Sequence, residues 1–416
     1  MDGSASHLGR MTGASRSDVS DAPAFARPFL RRLSSLWRYG TMAVTLPDGT
    51  QMTIGGDDGA IGEGPQAVWT LTRWRAFLRL LTRGDIGFAE GYMAGEWDTP
   101  DLTALLTAFA LNYDALDQIM SGVPMLRGVN AIVHALQRNS RTGSRRNIMS
   151  HYDLGNDFYA QWLDPSMTYS AALFDPPTLS LPEAQTRKYE ALARSISIER
   201  DHEVLEIGCG WGGFSAYAAG TLGARVTAIT LSPSQAEVAR KRIFEQGLSE
   251  RVDVQLIDYR DVQGCYDRIA SIEMFEAVGE AYWPTYFDRV HDLLKPDGRA
   301  GLQIITIDDA LFDSYRKRPD FIQLHVFPGG MLPSEPALWA TIGKAGLTGE
   351  VTQRFGQDYG RTLGLWLRAF DDAWPRIEPL GYDARFRRLW RYYLAYCEAG
   401  FGTGRTDVVQ LALSKV

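Results

Sequence analysis

A cluster of glycines directly after a short apolar run is the part of this sequence best suited to hold a ligand. Residues 204–207 predict a strand buried on both faces, and Gly208-Cys-Gly-Trp-Gly-Gly213 follows at once. Residues 214–219 then favour a helix. A strand that turns on glycines into a helix presents bare backbone N–H groups at the helix N-terminus. Because glycine also lets a ligand approach the backbone closely, the stretch predicts a cofactor site.

Two kinds of cofactor are compatible with such a turn. A dinucleotide site requires the spacing G-x-G-x-x-G and an acid at the end of the next strand. Here the glycines follow the pattern G-C-G-W-G-G, and the next strand ends in Thr230. The stretch Glu206-Ile-Gly-Cys-Gly-Trp-Gly-Gly213 instead resembles motif I of class I methyltransferases, which implies S-adenosylmethionine. A glycine-rich turn in another doubly wound domain is the alternative.

Around this turn, predicted strands alternate with predicted helices along the chain. Strands are predicted near residues 226–230, 252–257, 268–272, 298–307 and 407–414, and helices near residues 181–196, 234–246, 283–294, 359–377 and 384–398. This alternation indicates an α/β fold with a doubly wound sheet, which binds ligands at the carboxyl ends of its strands.

The segment from residue 308 to residue 333 interrupts the alternation and is rich in large apolar side chains. These are Phe312, Tyr315, Phe321, Ile322, Phe327 and Met331. The segment could cover an apolar substrate at the edge of the sheet, or it could be an ordinary packed excursion. The sequence leaves both interpretations open.

The chain divides into four predicted regions. Residues 1–24 lack periodicity and predict a disordered leader. Residues 25–138 predict a smaller amino-terminal domain, with a hairpin at Leu46-Pro-Asp-Gly-Thr50. The polar residues 139–147 predict a linker to the catalytic domain, residues 148–416. Helices of the smaller domain are predicted near residues 72–81 and 102–111.

Composition argues against several classes of function. The 3 scattered cysteines are too few for a disulfide framework, and the 6 histidines show no spacing typical of metal ligands. A net charge of −7 disfavours nucleic acid as a partner. Because the sequence also lacks a long apolar run and a signal peptide, it predicts a soluble, cytoplasmic protein without a metal.

Basic residues concentrate in the first part of the chain, beside aromatic and leucine residues. They are Arg27, Arg31, Arg32, Arg38, Arg73, Arg75, Arg79, Arg83, Arg138, Arg141, Arg145 and Arg146. Such segments can lie on an anionic membrane surface or can be solvated helix faces. The first interpretation predicts peripheral association with the inner face of the membrane. A homo-oligomer is compatible with it, although the sequence shows no interface.

Nine separated stretches resemble, in order, the cyclopropane fatty acid synthases and their mycolic acid methyltransferase relatives. They are His151-Tyr-Asp-Leu-Gly-Asn-Asp157, Met167-Thr-Tyr-Ser170, Glu206-Ile-Gly-Cys-Gly-Trp-Gly-Gly213, Thr230-Leu-Ser-Pro-Ser-Gln235, Asp258-Tyr-Arg-Asp261, Met274-Phe-Glu-Ala-Val-Gly279, Phe327-Pro-Gly-Gly-Met-Leu-Pro-Ser334, Phe355-Gly-Gln-Asp-Tyr359 and Tyr392-Tyr-Leu-Ala-Tyr-Cys397. The resemblance runs from about residue 147 to the end, and residues 84–98 resemble the amino-terminal domain of the family.

The resemblance implies S-adenosylmethionine as the cofactor and an unsaturated acyl chain of a membrane phospholipid as the substrate. By position, it assigns cofactor binding to Tyr169, Ser170, Gly208, Cys209, Gly210, Trp211, Gly212, Thr230, Leu231, Ser232, Gln235, Tyr259 and Arg260.

The implied reaction transfers a methyl group to an alkene and leaves a carbocation on the acyl chain. An enclosed apolar pocket keeps water from trapping the cation, and each aromatic face stabilises it by roughly 0.5–2 kcal/mol. Tyr315, Phe327, Tyr359 and Trp366 are candidates for that role. A base must then remove a proton from the transferred methyl group to close a cyclopropane ring.

In the family, this base is a bound bicarbonate. Glu276 and Tyr359 match two of its side-chain ligands, and Ile305 falls at its main-chain contact. Two other ligands differ, because Ala171 replaces a cysteine and Gln303 replaces a histidine. Glutamine donates a hydrogen bond but cannot carry the positive charge of an imidazolium.

Glu273 adds a carboxylate where the family usually has a small residue. Two neighbouring carboxylates raise the pKa of one of them and also repel an anion. The sequence therefore predicts an altered anion site, in which the base is Glu276, Glu273 or a differently held bicarbonate. A structural role is the alternative, in which Glu273 caps an element or pairs with an arginine. A cyclopropane is favoured as the commoner product of the family, with a methyl-branched or methylated unsaturated chain as the alternative.

Cys397 aligns with a cysteine sometimes treated as the nucleophile of the family. The alkene attacks the methyl group directly, so no step requires a thiol. Since Cys397 lies among Tyr392, Tyr393 and Tyr396, a buried structural role is favoured.

Two other functions are compatible with the sequence. One is methylation of a small soluble molecule, which the basic and aromatic segments disfavour. The other is a non-catalytic lipid-binding protein, suggested by Ala171 and Gln303.

Overall fold

The computed structural model describes Val19, residues 22–55, residues 62–114, Leu116 and residues 154–416. The chain divides into two compact units, Met1–Val123 and Pro124–Val416. The predicted leader lies almost wholly outside the described residues, and the predicted linker lies wholly outside them. Both therefore stay predictions.

The first unit contains a four-stranded sheet and three described helices. The strands are β1 (Tyr39–Thr45), β2 (Gln51–Ile54), β3 (Gly62–Leu71) and β4 (Trp97–Asp98), in the order β2-β1-β3-β4, and the helices are α1 (Arg27–Leu36), α2 (Trp74–Met93) and α3 (Leu102–Leu111). β1 and β2 pair antiparallel, as the predicted hairpin requires. Phe88 stacks on Trp97 with ring centroids 4.2 Å apart in the core of this unit.

The range of helix α2 consists of two helical segments that meet at Gly84, whose φ of 63° and ψ of −140° are not helical. The first segment agrees with the helix predicted near residues 72–81. Glycine adopts this angle without strain. A Cβ on Gly87 would lie 2.1 Å from the carbonyl oxygen of Arg79, so glycine is required for the close approach after the kink. Gly84 therefore interrupts the helix, and Gly87 permits close packing of the second segment against the first.

The arginines of α2 are paired within their own unit. Arg79 Nε lies 2.8 Å from Glu96 Oε2, Arg75 lies 3.4 Å from the same carboxylate, and Arg83 contacts Glu90. This segment is therefore an ion-pair network rather than a row of unpaired charges. None of the helices in the described ranges is long and apolar enough to cross a bilayer.

The second unit contains a seven-stranded sheet. Its strands are β5 (Glu203–Ile207), β6 (Arg225–Thr230), β7 (Val252–Leu256), β8 (Tyr266–Ile272), β9 (Leu294–Ile307), β10 (Leu347–Arg354) and β11 (Thr406–Lys415), in the order β10-β11-β9-β8-β5-β6-β7. β5 to β9 are parallel, whereas β11 pairs antiparallel with both β9 and β10, so that β11 alone of the seven strands runs in the opposite direction. The strand order reverses between β5 and β8, and such a switch point forms a ligand-binding crevice at the carboxyl ends. The predicted α/β doubly wound fold is confirmed.

The described helices of this unit largely follow the predicted pattern. They are α4 (Asn156–Ala160), α5 (Leu181–Ser195), α6 (Gly213–Leu222), α7 (Pro233–Glu245), α8 (Trp283–Leu293), α9 (Asp309–Tyr315), α10 (Phe321–His325), α11 (Glu335–Lys344), α12 (Gly356–Ile377) and α13 (Ala384–Gly402). The sequence pattern did not predict the short helices α4, α9 and α10, the helix α11 or the strand β10. Strand β10 lies at the edge of the sheet and is mostly polar and exposed, so it lacks a clear alternating pattern.

The sheet separates two apolar cores, because successive strand residues point to opposite faces. Val204 packs on one face with Leu192 and Phe214, whereas Leu205 packs on the other face with Phe287. Both strand residues are fully buried. This arrangement explains why β5 is almost continuously apolar, and it fixes the position of the glycine turn that follows.

Candidate active site

The glycine turn after β5 is held by backbone hydrogen bonds to the neighbouring strand. The N–H groups of Gly208 and Cys209 both donate to the carbonyl oxygen of Ile229, over 3.0 and 2.9 Å. Gly208 has a φ of 84°, and a Cβ there would lie 2.7 Å from Cγ of Met274. A Cβ on Gly210 would meet no atom within 4 Å. The turn is therefore tightly packed at Gly208 and open at Gly210.

A cavity of about 160 Å³ lies at this turn, among the carboxyl ends of β5, β6 and β8. Ten of the residues assigned to cofactor binding line it: Tyr169, Ser170, Gly208, Cys209, Gly210, Trp211, Thr230, Leu231, Gln235 and Tyr259. These residues come from separate motifs along the chain, and the fold brings them together around one cavity.

Three residues assigned to the same role do not line the cavity. Gly212 precedes α6 with a φ of 81°. Ser232 Oγ accepts a hydrogen bond from the backbone N–H of Gln235 at the start of α7, over 3.3 Å. Arg260 Nε donates to Asp258 Oδ1 over 2.8 Å. In this structure these residues cap helices or fix a turn, and so they support the cavity from outside.

Glu206 lines the cavity although the sequence analysis gave it no role there. Its carboxylate accepts a hydrogen bond from the hydroxyl of Ser215, and burial raises its pKa to about 7. The signal in the sequence was the position of Glu206 itself, an acidic residue between the apolar Leu205 and Ile207 just before the glycine turn. Such a residue on a strand buried on both faces needs a polar partner or ligand.

The cavity fits S-adenosylmethionine. The open space beside Gly210 admits a ligand close to the backbone. Tyr169 and Trp211 provide aromatic faces, and Glu206 and Glu273 provide carboxylates that suit a cationic sulfonium.

Glu273, directly after β8, is the most extensively hydrogen-bonded carboxylate of the site. Its Oε1 accepts from the backbone N–H of Ala171 over 2.8 Å and from Nε2 of Gln303 over 2.7 Å. Its Oε2 accepts from the hydroxyl of Tyr359 over 2.9 Å. The same side chain lines the cavity. No arginine is among these partners, so the alternative that Glu273 pairs with an arginine is not what the structure shows.

The orientation of Gln303 is set by Gln410 on β11. Gln410 Nε2 donates to Gln303 Oε1 over 3.1 Å and to the backbone carbonyl of Lys188 over 3.2 Å. Gln303 therefore uses its oxygen toward Gln410 and presents its NH₂ group to Glu273. The sequence analysis missed Gln410, because nothing in the local pattern of β11 distinguishes it.

Glu276 lies close to Glu273 but has different partners. Its Oε1 accepts from the backbone N–H of Ile305 over 2.6 Å, whereas its buried Oε2 has no hydrogen-bond partner among the described residues. Burial and the negative charge of Glu273 raise the pKa of Glu276 to about 8. Glu276 does not line the cavity.

Lys188 is a buried cation that the sequence analysis also missed. It is completely buried, and its Nζ donates to Ser170 Oγ over 2.6 Å. Burial lowers its pKa to about 7, against the opposing charges of Glu273, Asp164 and Glu206. The positive charge of Lys188 stabilises negative charge on Glu273 and so opposes the rise of the Glu273 pKa.

Aromatic side chains from several elements meet beside the cavity. The ring of Tyr169 lies 5.3 Å from that of Trp366, and its hydroxyl lies 2.7 Å from the hydroxyl of Tyr393. Tyr393 in turn lies 6.0 Å from Phe327, which belongs to the segment that interrupts the α/β alternation. The ring of Tyr359 lies 6.1 Å from that of Trp366, so three of the predicted aromatic candidates, Trp366, Phe327 and Tyr359, belong to one cluster.

Cys397 is partly exposed, and desolvation raises the pKa of its thiol. We expect a small thiol reagent to modify the exposed Cys265 first, to modify Cys397 more slowly because little of it is thiolate, and to reach the buried Cys209 only after the chain unfolds. The measurement is mass spectrometry of the labelled peptides before and after denaturation. Rapid labelling of Cys397 in the folded chain would contradict its structural role.

The sequences of several known proteins align with most of this chain. The family model described as mycolic acid cyclopropane synthetase matches residues 139–411. A tuberculostearic acid methyltransferase of Mycobacterium tuberculosis is 40% identical over 344 residues, which cover 80% of each chain. The cyclopropane-fatty-acyl-phospholipid synthase of Escherichia coli is 33% identical over 356 residues, covering 82% of this chain and 85% of that protein.

Solved structures extend the similarity to the fold. The mycolic acid cyclopropane synthase CmaA1, complexed with SAH and CTAB, is 30% identical with a TM-score of 0.61. The match covers 65% of this chain and 98% of that one. A coclaurine N-methyltransferase at 18% identity, also with a TM-score of 0.61, shares the fold.

Proposed function

Because the chain belongs to the mycolic acid cyclopropane synthetase family of S-adenosylmethionine-dependent methyltransferases, we propose that it adds a one-carbon unit to the double bond of an unsaturated phospholipid acyl chain. The family resemblance inferred from the nine motifs is thereby confirmed, whereas the choice of substrate is the proposal. One observation carries it: the cavity has the hydrogen-bonded carboxylate of Glu273 in its wall and an aromatic cluster beside it.

When bound, S-adenosylmethionine supplies an electrophilic methyl carbon. The turn at Gly208 and Gly210 would hold it through backbone groups, with Thr230 and Gln235 at the end of β6. Thr230 Oγ1 donates to Gln235 Oε1 over 2.9 Å, which fixes both side chains at the cavity wall. Fixed partners of this kind place the reacting atoms and lower the entropic part of the barrier.

An acceptor carbon that gains positive charge needs a dry and electron-rich surrounding. Trp366 is fully buried, and Tyr169 packs against it at the cavity wall. Each such face stabilises a nearby cation by roughly 0.5–2 kcal/mol. A small polar acceptor would not require this cluster, and so the arrangement favours an alkene in an acyl chain.

Peripheral association with the inner face of a membrane belongs to the same proposal. Helix α1 buries Phe29, Leu30 and Leu33 and exposes Arg31 and Arg32. The large apolar side chains of Phe25 and Leu78 are each 54% exposed. Exposed cations beside exposed apolar groups suit an anionic lipid surface.

A cyclopropane is the first candidate product, and a methylated chain without a ring is the second. The second is favoured by Glu273, which stands where the family usually has a small residue, and by the relative named for tuberculostearic acid. A saturated branch would require a separate reduction, for which the described residues offer no group.

The test is incubation of the purified full chain with S-adenosylmethionine and vesicles of an unsaturated phospholipid. We expect the lipid to gain the mass of one CH₂ group, with an equal amount of demethylated donor. Vesicles of a saturated phospholipid are the control and should gain no mass. Proton NMR of the product distinguishes ring methylene from vinylidene protons. Unchanged lipid together with unchanged donor would overturn the proposal.

A further inference from the structure

Donor groups at the positions where the family resemblance places a bicarbonate already have partners within the protein. The Ala171 N–H, the Gln303 NH₂ and the Tyr359 hydroxyl all donate to Glu273. The backbone N–H of Ile305 donates to Glu276. A small anion depends on such donors when it is buried. Bicarbonate therefore does not fit this site, and no step is derived through it.

We propose that the carboxylate of Glu273 takes the place of a bound anion and is itself the base that accepts the methyl proton. This inference rests on the proposed function, because it concerns the same cavity and the same acyl substrate. Glu273 thereby gains a catalytic role, because its carboxylate occupies the hydrogen-bond donors that a separate anion would need.

The backbone of Glu273 is shaped for this position. Its φ is 48°, in the left-handed region that side-chain-bearing residues seldom adopt. Its N–H donates to the backbone carbonyl of Gln303 over 2.9 Å, so the same residue holds both the main chain and the carboxylate of Glu273. Unfavourable backbone conformations that surrounding contacts maintain occur most often at functional sites.

The hydrogen-bond partners of Glu273 favour its ionised form, although burial outweighs them and leaves its pKa raised. A backbone N–H can only donate, and the amide of Gln303 is oriented by Gln410 to donate as well. Burial raises the pKa of Glu273, but the charge of Lys188 and the three donors oppose that rise. A carboxylate surrounded by donors can accept a proton while it stays in place.

Glu276 is the less suitable base of the two. It does not line the cavity, and its pKa of about 8 keeps it mostly protonated at neutral pH. A pair of carboxylates whose environments differ in this way commonly divides acid and base roles. Glu276 in its neutral form leaves the negative charge of the pair on Glu273.

The proton transfer balances without an added reagent. When the alkene pair bonds to the methyl carbon, the carbon–sulfur bond of the donor breaks, its electron pair stays on sulfur, and the neighbouring chain carbon carries the positive charge. A methyl C–H bond then breaks, and its proton passes to a free lone pair on Oε2 of Glu273. The electron pair of that bond closes onto the cationic carbon and forms a ring. If a hydride has first shifted from the methyl-bearing carbon to the cationic carbon, the same pair forms a C=CH₂ group on the open chain. Release of the proton to water restores the carboxylate.

Two variants separate this role from a structural one. Glu273→Gly removes the carboxylate and leaves its three donors facing an empty space, and glycine tolerates the backbone angle. Glu273→Gln keeps the volume but cannot accept a proton. We expect turnover to fall about 100-fold or more in both variants, as when a general base is removed. Affinity for S-adenosylmethionine, measured by calorimetry, should fall by no more than about tenfold in both, because Glu206 and the backbone of the glycine turn still line the cofactor cavity.

Added formate tests whether the site accepts a separate anion. Formate should restore turnover of Glu273→Gly by about tenfold or more, and should raise its melting temperature in the absence of donor and lipid. It should do neither for Glu273→Gln or for the wild type, because their side chains fill the space. Turnover of the wild type should be the same in buffer freed of carbon dioxide as in buffer with added bicarbonate.

Three results would overturn the inference. They are retained turnover in Glu273→Gln, a fall in wild-type turnover when bicarbonate is removed, and an absence of both formate effects in Glu273→Gly. Each of these results counts only when the wild-type protein, prepared and assayed in the same way, modifies unsaturated lipid. A wild type that modifies no lipid would instead count against the proposed function.

Discussion

Gly208→Ala is expected to lower the affinity for S-adenosylmethionine by about 100-fold or more. Strain at a left-handed position costs about 1–3 kcal/mol, and overpacking adds about 1–3 kcal/mol. Both apply here, because φ is 84° and the new Cβ would lie 2.7 Å from Cγ of Met274. A shift of the turn that relieves the contact would strain its hydrogen bonds to Ile229 and displace the backbone groups that line the cofactor cavity. Isothermal titration calorimetry measures the loss.

Gly264→Ala is a matched control for that substitution. Gly264 has a φ of 97°, but a Cβ there would meet no atom within 4 Å, and the residue does not line the cavity. It should cost stability through backbone strain and leave cofactor affinity within about threefold of wild type, since no ligand contact changes. If Gly208→Ala bound the cofactor as well as Gly264→Ala does, the turn would not be the cofactor site.

Gln303→Glu is expected to reduce turnover by about 1000-fold at neutral pH, as for loss of a general base. The substitution keeps the shape but replaces a donor by a second carboxylate, 2.7 Å from Glu273 Oε1 in the present geometry. Two carboxylates so close share a proton. The shared proton would occupy the proposed base, so activity should recover as the pH rises and the pair loses that proton.

The groups that face this pair decide the direction of the pH effect. The Ala171 N–H and Tyr359 hydroxyl stabilise negative charge, as does the cation of Lys188, while Glu276 opposes it. The pKa of Lys188 is about 7, so it loses its proton as the pH rises, and recovery should be incomplete. Gln303→Met, which removes the donor without adding charge, should cost only about 10- to 100-fold. Equal pH profiles for the two variants would contradict this explanation.

The glycine turn could be predicted from sequence because its determinants are local. The apolar strand, the glycines and the following helix are adjacent in the chain, and their geometry follows from backbone conformation alone. The pair Glu273 and Glu276 could be predicted for the same reason, since three positions separate them. What the sequence could not decide was which donors each carboxylate meets.

Those donors come from distant parts of the chain. The hydrogen bond from Gln410 to Lys188 joins residues 222 positions apart, and the bond from Gln410 to Gln303 joins residues 107 positions apart. Glutamine on a strand and lysine on a helix are common surface residues, so neither position stood out. Their burial depends on β11 lying beside β9 in the sheet, and no local pattern specifies that pairing.

The reversal of strand order between β5 and β8 divides the site between two halves of the sheet. The turn at Gly208 follows β5, whereas Glu273 follows β8 and its partner Gln303 lies on β9. Substitutions near the ends of β8 and β9 can therefore change the product formed from the carbocation, while the turn after β5 that binds the methyl donor stays unchanged. The same modularity offers protein engineers a route to new lipid products that starts from a single strand end.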